Sequence, residues 1–239
     1  MADKIHITIG TPHRRDFTPE YVMSLVETLM DGRYKYSWLI REGSMIHYGR
    51  NVISQQFDGD YLLFIDTDMC WVPEDIQKLV EADKDVAACF CYNRGFPYNP
   101  VIIPKSEEIF RQVYSEGTVP KEPFELLSSG AGFLLIKRKV LDTLFSQGIW
   151  PFDPIPLSAI DDGRECGCGP SGEFPSGLYW EDHSFCYKAR QLGFEIWCVP
   201  GASIGHLGAG LQMETTPWEK WMNSVAAKFT GVRYERDVR

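Results

Sequence analysis

Between residues 5 and 91 the apolar residues of this chain switch repeatedly between alternation and helical spacing, and that rhythm narrows the fold more than any other feature. Ile5-His6-Ile7-Thr8-Ile9 alternates with period two and stops at Gly10-Thr11-Pro12, a strand followed by a loop. Over residues 19–30 the spacing turns helical (Tyr21, Val22, Leu25, Val26, Leu29), with Thr18 as N-cap and Pro19 in the first turn. Strands are expected at 36–40, 61–65 and 86–91, and helices at 51–57 and 73–82. Such alternation builds βαβ units. The expected fold class is α/β, a Rossmann-like, mostly parallel twisted sheet flanked by helices.

After residue 92 the rhythm loosens. Val101-Ile102-Ile103 and Phe133-Leu134-Leu135-Ile136 read as strands separated by a polar, Pro-containing excursion, and a helix follows over 138–145. Residues 150–179 are rich in Pro, Gly and Asp without periodicity, as in a lid or a disordered insertion. A helix then runs from Glu181 to Leu192, stopped by Gly193, and a last strand spans 194–199. His206 lies in a Gly-rich loop. Residues 217–229, with Trp218, Trp221, Met222 and Val225, form an amphipathic C-terminal helix that covers the sheet or forms a dimer interface. The expected organisation is a single domain over 1–239, with a first half (1–92), a second half (93–210) carrying the long loop, and a helical tail (211–239).

Charge and cysteine usage set the class of partner. A formal net charge of -9 argues against gripping nucleic acid through bulk electrostatics. The N-terminus shows neither a signal peptide nor a transmembrane helix. An odd count of 7 cysteines in a chain of this length fits a reducing, cytoplasmic setting. Cys89, Cys91 and Cys198 fall on strand patterns as small core residues. Cys166-Gly167-Cys168 lacks a second pair at zinc-like spacing, which leaves its role open.

Three groups of residues carry possible chemistry. The strand at 61–65 ends in Asp66-Thr67-Asp68, at the carboxyl edge where open α/β sheets bind ligands. If strand geometry persists, both carboxylates face one side and suit a hard cation such as Mg²⁺ or Mn²⁺. Asp residues also cap helices, and Pro73-Glu74-Asp75 marks a helix start just beyond. Glu181 and Asp182 open a helix, which equally serves the helix dipole. Third is His206 within Gly205-His206-Leu207-Gly208; a single loop histidine carries little alone.

In this order the three groups resemble the GT-A fold glycosyltransferases, and specifically the family 2-like branch found in bacteria and their viruses. Ile7-Thr8-Ile9-Gly10-Thr11-Pro12 is similar to that family's first strand and nucleotide loop, and Tyr48-Gly49-Arg50-Asn51 resembles another of its segments. The resemblance spans residues 5 to 210. It implies a nucleoside-diphosphate sugar as donor, a UDP-sugar foremost, with Mn²⁺ or Mg²⁺ as cofactor. By position, Asp66 would face the ribose, and Asp66, Asp68 and His206 would surround the metal. Thr11, Pro12, Arg14 and Arg50 would line the nucleotide, and Gly130 and Gly132 the donor sugar. Asp182, with Glu181 second, would be the general base of an inverting transfer.

Other readings stay open at this point. A sugar-nucleotidyltransferase also uses an α/β sheet and acidic metal ligands, although its Gly-rich N-terminal loop is reduced here to a single Gly10. A non-catalytic nucleotide-sugar-binding module is the third class. The acceptor is a glycan, a small molecule or a nucleobase, the last being what related viral enzymes modify. Arg94, Phe96 and Tyr98 beside Tyr92, and Trp150, Trp180 and Trp197, are candidate stacking groups for such an acceptor or ordinary anchors of loop and core. Donor sugar, stereochemical outcome and oligomeric state are not written in the sequence.

Overall fold

The computed structural model describes residues 4–13, 16–43, 45–93, 99–159, 178–202 and 204–207. Arg14, residues 94–98, Cys166, Cys168 and the expected C-terminal helix lie outside the described residues. The first half comprises β1 (His6–His13), α1 (Pro19–Asp31), β2 (Lys35–Glu42), α2 (Ile46–Gln56), β3 (Tyr61–Ile65), β4 (Met69–Cys70), α3 (Pro73–Glu81) and β5 (Val86–Cys89). There follow β6 (Ile102–Pro104), α4 (Glu107–Tyr114), β7 (Phe124–Ser129), β8 (Phe133–Lys137) and α5 (Arg138–Ser146). The last elements are β9 (Ile155–Pro156), β10 (Leu178–Tyr179), α6 (Glu181–Gln191), β11 (Ile196–Val199) and β12 (Gly205–His206).

Eight strands form one sheet in the order β2-β1-β3-β8-β5-β11-β7-β6. The first three pair in parallel, as βαβ units require. β8 pairs antiparallel to both β3 and β5, and β7 pairs antiparallel to both β11 and β6. The sheet is therefore mixed, with β8 and β7 running against the other six. β8 sits between β3 and β5, so strands from before and after residue 92 share one sheet. Alternation along β3 explains the layers: Leu62 and Phe64 point into one buried cluster, Leu63 and Ile65 into the other.

Local chemistry accounts for most helix boundaries. The Thr18 hydroxyl accepts the Tyr21 N–H at 3.2 Å, and Gly32, at φ 70°, ends α1 in the left-handed conformation. In α3 the Asp75 carboxylate accepts the Val72 N–H at 3.1 Å. α2 departs from expectation, starting at Ile46 rather than Asn51. Met45 precedes it without a side-chain cap, so no start signal is present in the sequence, and Arg50 projects from the helix itself.

The excursion between the strands near 102 and 133 contains α4 and β7, both short and both interrupted by polar residues. The stretch 150–179 is closed at its base, where β9 pairs antiparallel with β10. The Lys188 ammonium donates to the carbonyls of Trp150 at 2.9 Å and Pro151 at 3.4 Å, tying the start of this stretch to α6. The five cysteines among the described residues are free. No described helix is long and apolar enough to cross a membrane.

Candidate functional site

The strand carrying the first acidic pair ends at Ile65, and Asp66-Thr67-Asp68 forms a turn, closed by the Met69 N–H on the Asp66 carbonyl at 3.1 Å. Thr18 bolts this turn to the start of α1: its main-chain N–H and its hydroxyl donate to the Thr67 carbonyl at 3.2 and 3.1 Å. The strand does not persist through the pair, the two acids have side-chain partners from different elements, and the Asp68 charge still acts on the Asp66 carboxyl.

Asp66 turns toward α2. Arg50, only 2% exposed, donates from its guanidinium to Asp66 Oδ1 at 2.8 Å and to the Ala131 carbonyl at 3.0 Å. Its Nε lies 3.7 Å from Glu181 Oε1, and the guanidinium sits over the Phe64 ring. One buried cation therefore links the two acidic groups. Such a charge is tolerated in a core only when surrounded by acceptors. Burial pushes the Asp66 carboxyl above the usual range; Arg50 opposes this rise, and Asp68 adds to it. Burial, then the neighbouring Asp182, pushes Glu181 up to about 7 against the pull of Arg50.

Asp68 meets His206. β12 pairs antiparallel with β4, His206 opposite Met69, and the Leu207 N–H donates to the Asp68 carbonyl at 2.8 Å. This pairing sets His206 Nε2 3.6 Å from Asp68 Oδ1. The ring's Nδ1 lies 2.9 Å from the Tyr92 carbonyl. A carbonyl only accepts, so Nδ1 carries a proton, and Nε2 is the ring nitrogen that faces the carboxylate. Metal-binding histidines are oriented in the same manner by a carbonyl on the far nitrogen. Two ligands at about 2.1 Å from an octahedral ion stand about 3 Å apart, so a small adjustment would let Asp68 and His206 share one cation. Among the described residues no group of three or more His, Cys, Asp or Glu is arranged to hold a metal, so any ion here would draw on other ligands too.

At the start of α6, Asp182 Oδ1 accepts the His183 N–H at 2.7 Å. Its Oδ2 lies 3.6 Å from where a Cβ on Gly130 would stand. A Cβ on Gly132 would come 3.4 Å from Asp66 Oδ2. The Gly130-Ala131-Gly132 link between β7 and β8 thus passes both carboxylates, and Val101 closes over Gly130, its Cγ1 2.6 Å from where a Cβ there would stand.

The other expected residues are placed as follows. Thr11 and Pro12 end β1, and both are buried. The Thr11 hydroxyl is engaged by Tyr21 and by Trp38 Nε1, so a ligand would meet its main chain instead. Arg14 lies outside the described residues. The structure gathers Arg50, Asp66, Asp68, Gly130, Gly132, Glu181, Asp182 and His206 into one connected region. Two neighbours were not anticipated, His183 and the buried Ser128 bonded to it. The only signal for His183 in the sequence is its place directly after Asp182.

A mixed α/β sheet bearing acidic side chains at its carboxyl edge, with glycines beside them, defines the GT-A class of fold. Residues 13–145, more than half of the chain, match the family described as Glycosyl transferase family 2, and the chain belongs to that family. No curated protein matches it by sequence. Among solved structures it is similar to A197 from STIV, at 20% identity over 86% of each chain with a TM-score of 0.50. It is similar also to the inositol-1-phosphate CTP transferase from T. maritima, at 8% identity over 95% of this chain and 97% of that one, TM-score 0.50. A third neighbour is GalNAc-T7, solved with UDP, GalNAc and Mn²⁺, at 12% identity over 99% of this chain and 53% of that one, TM-score 0.48. At these identities the likeness is one of fold.

Proposed function

We propose that this chain transfers a sugar from a nucleoside-diphosphate sugar, with UDP-sugars the first donors to test, to an acceptor hydroxyl with inversion at the anomeric carbon. The observation that carries the reading is the convergence of Asp66, Asp68, Glu181, Asp182 and His206, drawn from three separate stretches, around the glycines 130 and 132. Family membership supports it. Asp68 and His206 are the residues that would hold Mn²⁺ or Mg²⁺, with diphosphate oxygens completing the ligand set. Bound there, the cation offsets negative charge developing on the departing diphosphate.

The chain's own side chains have separable duties. Asp182 Oδ2, beside Gly130, takes the proton of the incoming hydroxyl, a step for which a positioned carboxylate supplies about 10²–10⁴-fold. Glu181, buried against Arg50, is poorly placed to meet an acceptor and holds the guanidinium instead. Arg50 is buried too, so it orients Asp66 rather than reaching the nucleotide. Gly130 and Gly132 let the chain beside the donor sugar pass close to the Asp182 and Asp66 carboxylates.

The test is thermal unfolding against a panel of nucleotide sugars and nucleoside diphosphates, each with and without Mn²⁺. A ligand at 100 times its Kd stabilises by about 2.7 kcal/mol, a readily measured shift. A rise for one donor only when metal is present supports the reading and names the nucleotide. No rise with any nucleotide sugar overturns it. Release of pyrophosphate from a nucleoside triphosphate with a sugar phosphate would assign nucleotidyl transfer instead.

A further inference from the structure

The helices that carry Arg50 and Asp182 are joined through residues 152 and 153. Phe152 is fully buried, its ring stacked on Phe185 of α6, with centroids 4.8 Å apart at 12°. It meets Phe64 of β3 edge-on, at 5.1 Å and 78°. The Phe152 N–H donates to Asn51 Oδ1 at 2.8 Å. A main-chain N–H only donates, so this contact fixes which way the Asn51 amide points. The amide's Nδ2 then donates to Asp153 Oδ1 at 2.6 Å. Asn51 is buried and follows Arg50 directly in α2.

The main chain of Asp153 holds α6. Its carbonyl accepts the Ser184 hydroxyl and the Lys188 ammonium. Glu181, Ser184, Phe185 and Lys188 recur at helical spacing, so the face latched to Phe152 and Asp153 is also the one that turns Glu181 toward Arg50. α6 has no side-chain cap at Trp180 to fix its start. The Glu181–Arg50 contact, at 3.7 Å, is too long for a hydrogen bond. Of these two links between α2 and α6, the one through Asn51 and Asp153 is made of true hydrogen bonds.

We propose that Asn51 and Asp153 are positioning residues for sugar transfer, which set the Asp182 carboxylate at the start of α6 against the Arg50 and Asp66 side of the site. This rests on Asp182 being the base. Both residues act on substrate only through Asp182. A base works while its oxygen stays within about 3 Å of the proton it takes, and a misplacement of about 1 Å can cost about 100-fold in rate. Losing the Asn51–Asp153 bond frees Asp153 from α2, and α6 shifts with the carbonyl to which it is tied.

The test compares Asn51→Asp, the same change combined with Asp153→Asn, Asp153→Ala, and Asp182→Asn. Each is assayed below its melting temperature with the donor found by the stability screen. In Asn51→Asp the Phe152 N–H keeps an acceptor, but two carboxylates face each other, both ionised at about pH 8. Its kcat is expected to fall about tenfold or more with the donor KM unchanged. Adding Asp153→Asn exchanges donor and acceptor across the same contact and should return most of the lost rate. A link that served stability alone would lower the melting temperature and leave the kcat of the folded protein as it was. Should Asn51→Asp fail to fold, Asp153→Ala, at an exposed residue, removes the carboxylate alone and should be slow in the same way. Wild-type kcat in a folded Asn51→Asp or in Asp153→Ala, or a double variant no faster than Asn51→Asp, overturns the role. Full activity in Asp182→Asn removes the base reading and this role with it, whereas a slow Asp182→Asn beside an unimpaired Asn51→Asp removes the role alone.

Discussion

His206 Nε2 stands 3.6 Å from Asp68 Oδ1, while the other nitrogen of the same ring is held 2.9 Å from the Tyr92 carbonyl. The carbonyl fixes the ring so that Nε2 faces the carboxylate, the orientation in which the two side chains would share the proposed cation. Asp68→Ala and His206→Ala should therefore each weaken Mn²⁺ binding in the presence of nucleoside diphosphate. Loss of an outer partner alone typically costs about 10- to 100-fold in metal affinity, and removing a ligand should cost at least that. Calorimetric titration of Mn²⁺ into the protein with UDP measures it; wild-type affinity in both variants would remove the pair from the metal site.

Arg50 ties together Asp66, Glu181 and the Ala131 carbonyl from inside the core. Arg50→Met leaves two carboxylates facing a neutral side chain, and removing one partner of a buried ion pair typically costs about 3–5 kcal/mol. Arg50→Lys should recover only part of this, because one ammonium cannot reproduce the fork that meets Asp66 and Ala131 together. Urea denaturation of the three proteins decides. Equal midpoints would mean that the guanidinium is not needed for folding.

Glu181 gives stability a pH dependence of known sign. Its folded value, about 7, stands above the unfolded 4.5, so the native state holds this proton more tightly. That contribution is fully present below about pH 4.5 and is lost as pH rises through 7. Glu181→Gln never ionises and escapes the loss. The variant should unfold near the wild-type temperature at pH 4.5 and gain on it up to pH 8, by about 3 kcal/mol at most. A difference that does not change with pH would contradict the shift.

Gly205 has no room for a side chain: a Cβ there would stand 2.4 Å from Cys70 Sγ. Cys70 is buried and cannot swing away freely. Gly205→Ala should therefore break the pairing of β12 with β4, cost about 1–3 kcal/mol as overpacking does, and carry His206 out of reach of Asp68. The Mn²⁺-dependent rise in melting temperature should disappear with it. Adding Cys70→Ala vacates the sulfur's place, so the double variant should recover both stability and metal response.

Much of the frame is legible in the sequence. The alternation over residues 5–91 foretold β1, α1, β2, β3, α3 and β5, because hydrophobic period and caps act within a turn or two of the chain. The polar interruptions in Glu107–Tyr114 and Phe124–Ser129 hid α4 and β7, whose stability comes from neighbours and not from local pattern. The missing cap at Met45 hid the first turn of α2.

The sequence by itself determined that a strand would end in Asp66-Thr67-Asp68 and that Glu181 and Asp182 would open a helix. Both are facts of local spacing. Tertiary structure alone decided which groups these acids would meet. Arg50 is buried between Asp66 and Glu181, and a two-residue pairing brings His206 to Asp68. Backbone pairing and sheet order set those meetings. Every residue type but proline offers the same main-chain donor and acceptor, so the sequence around His206 holds no mark of the strand it will join.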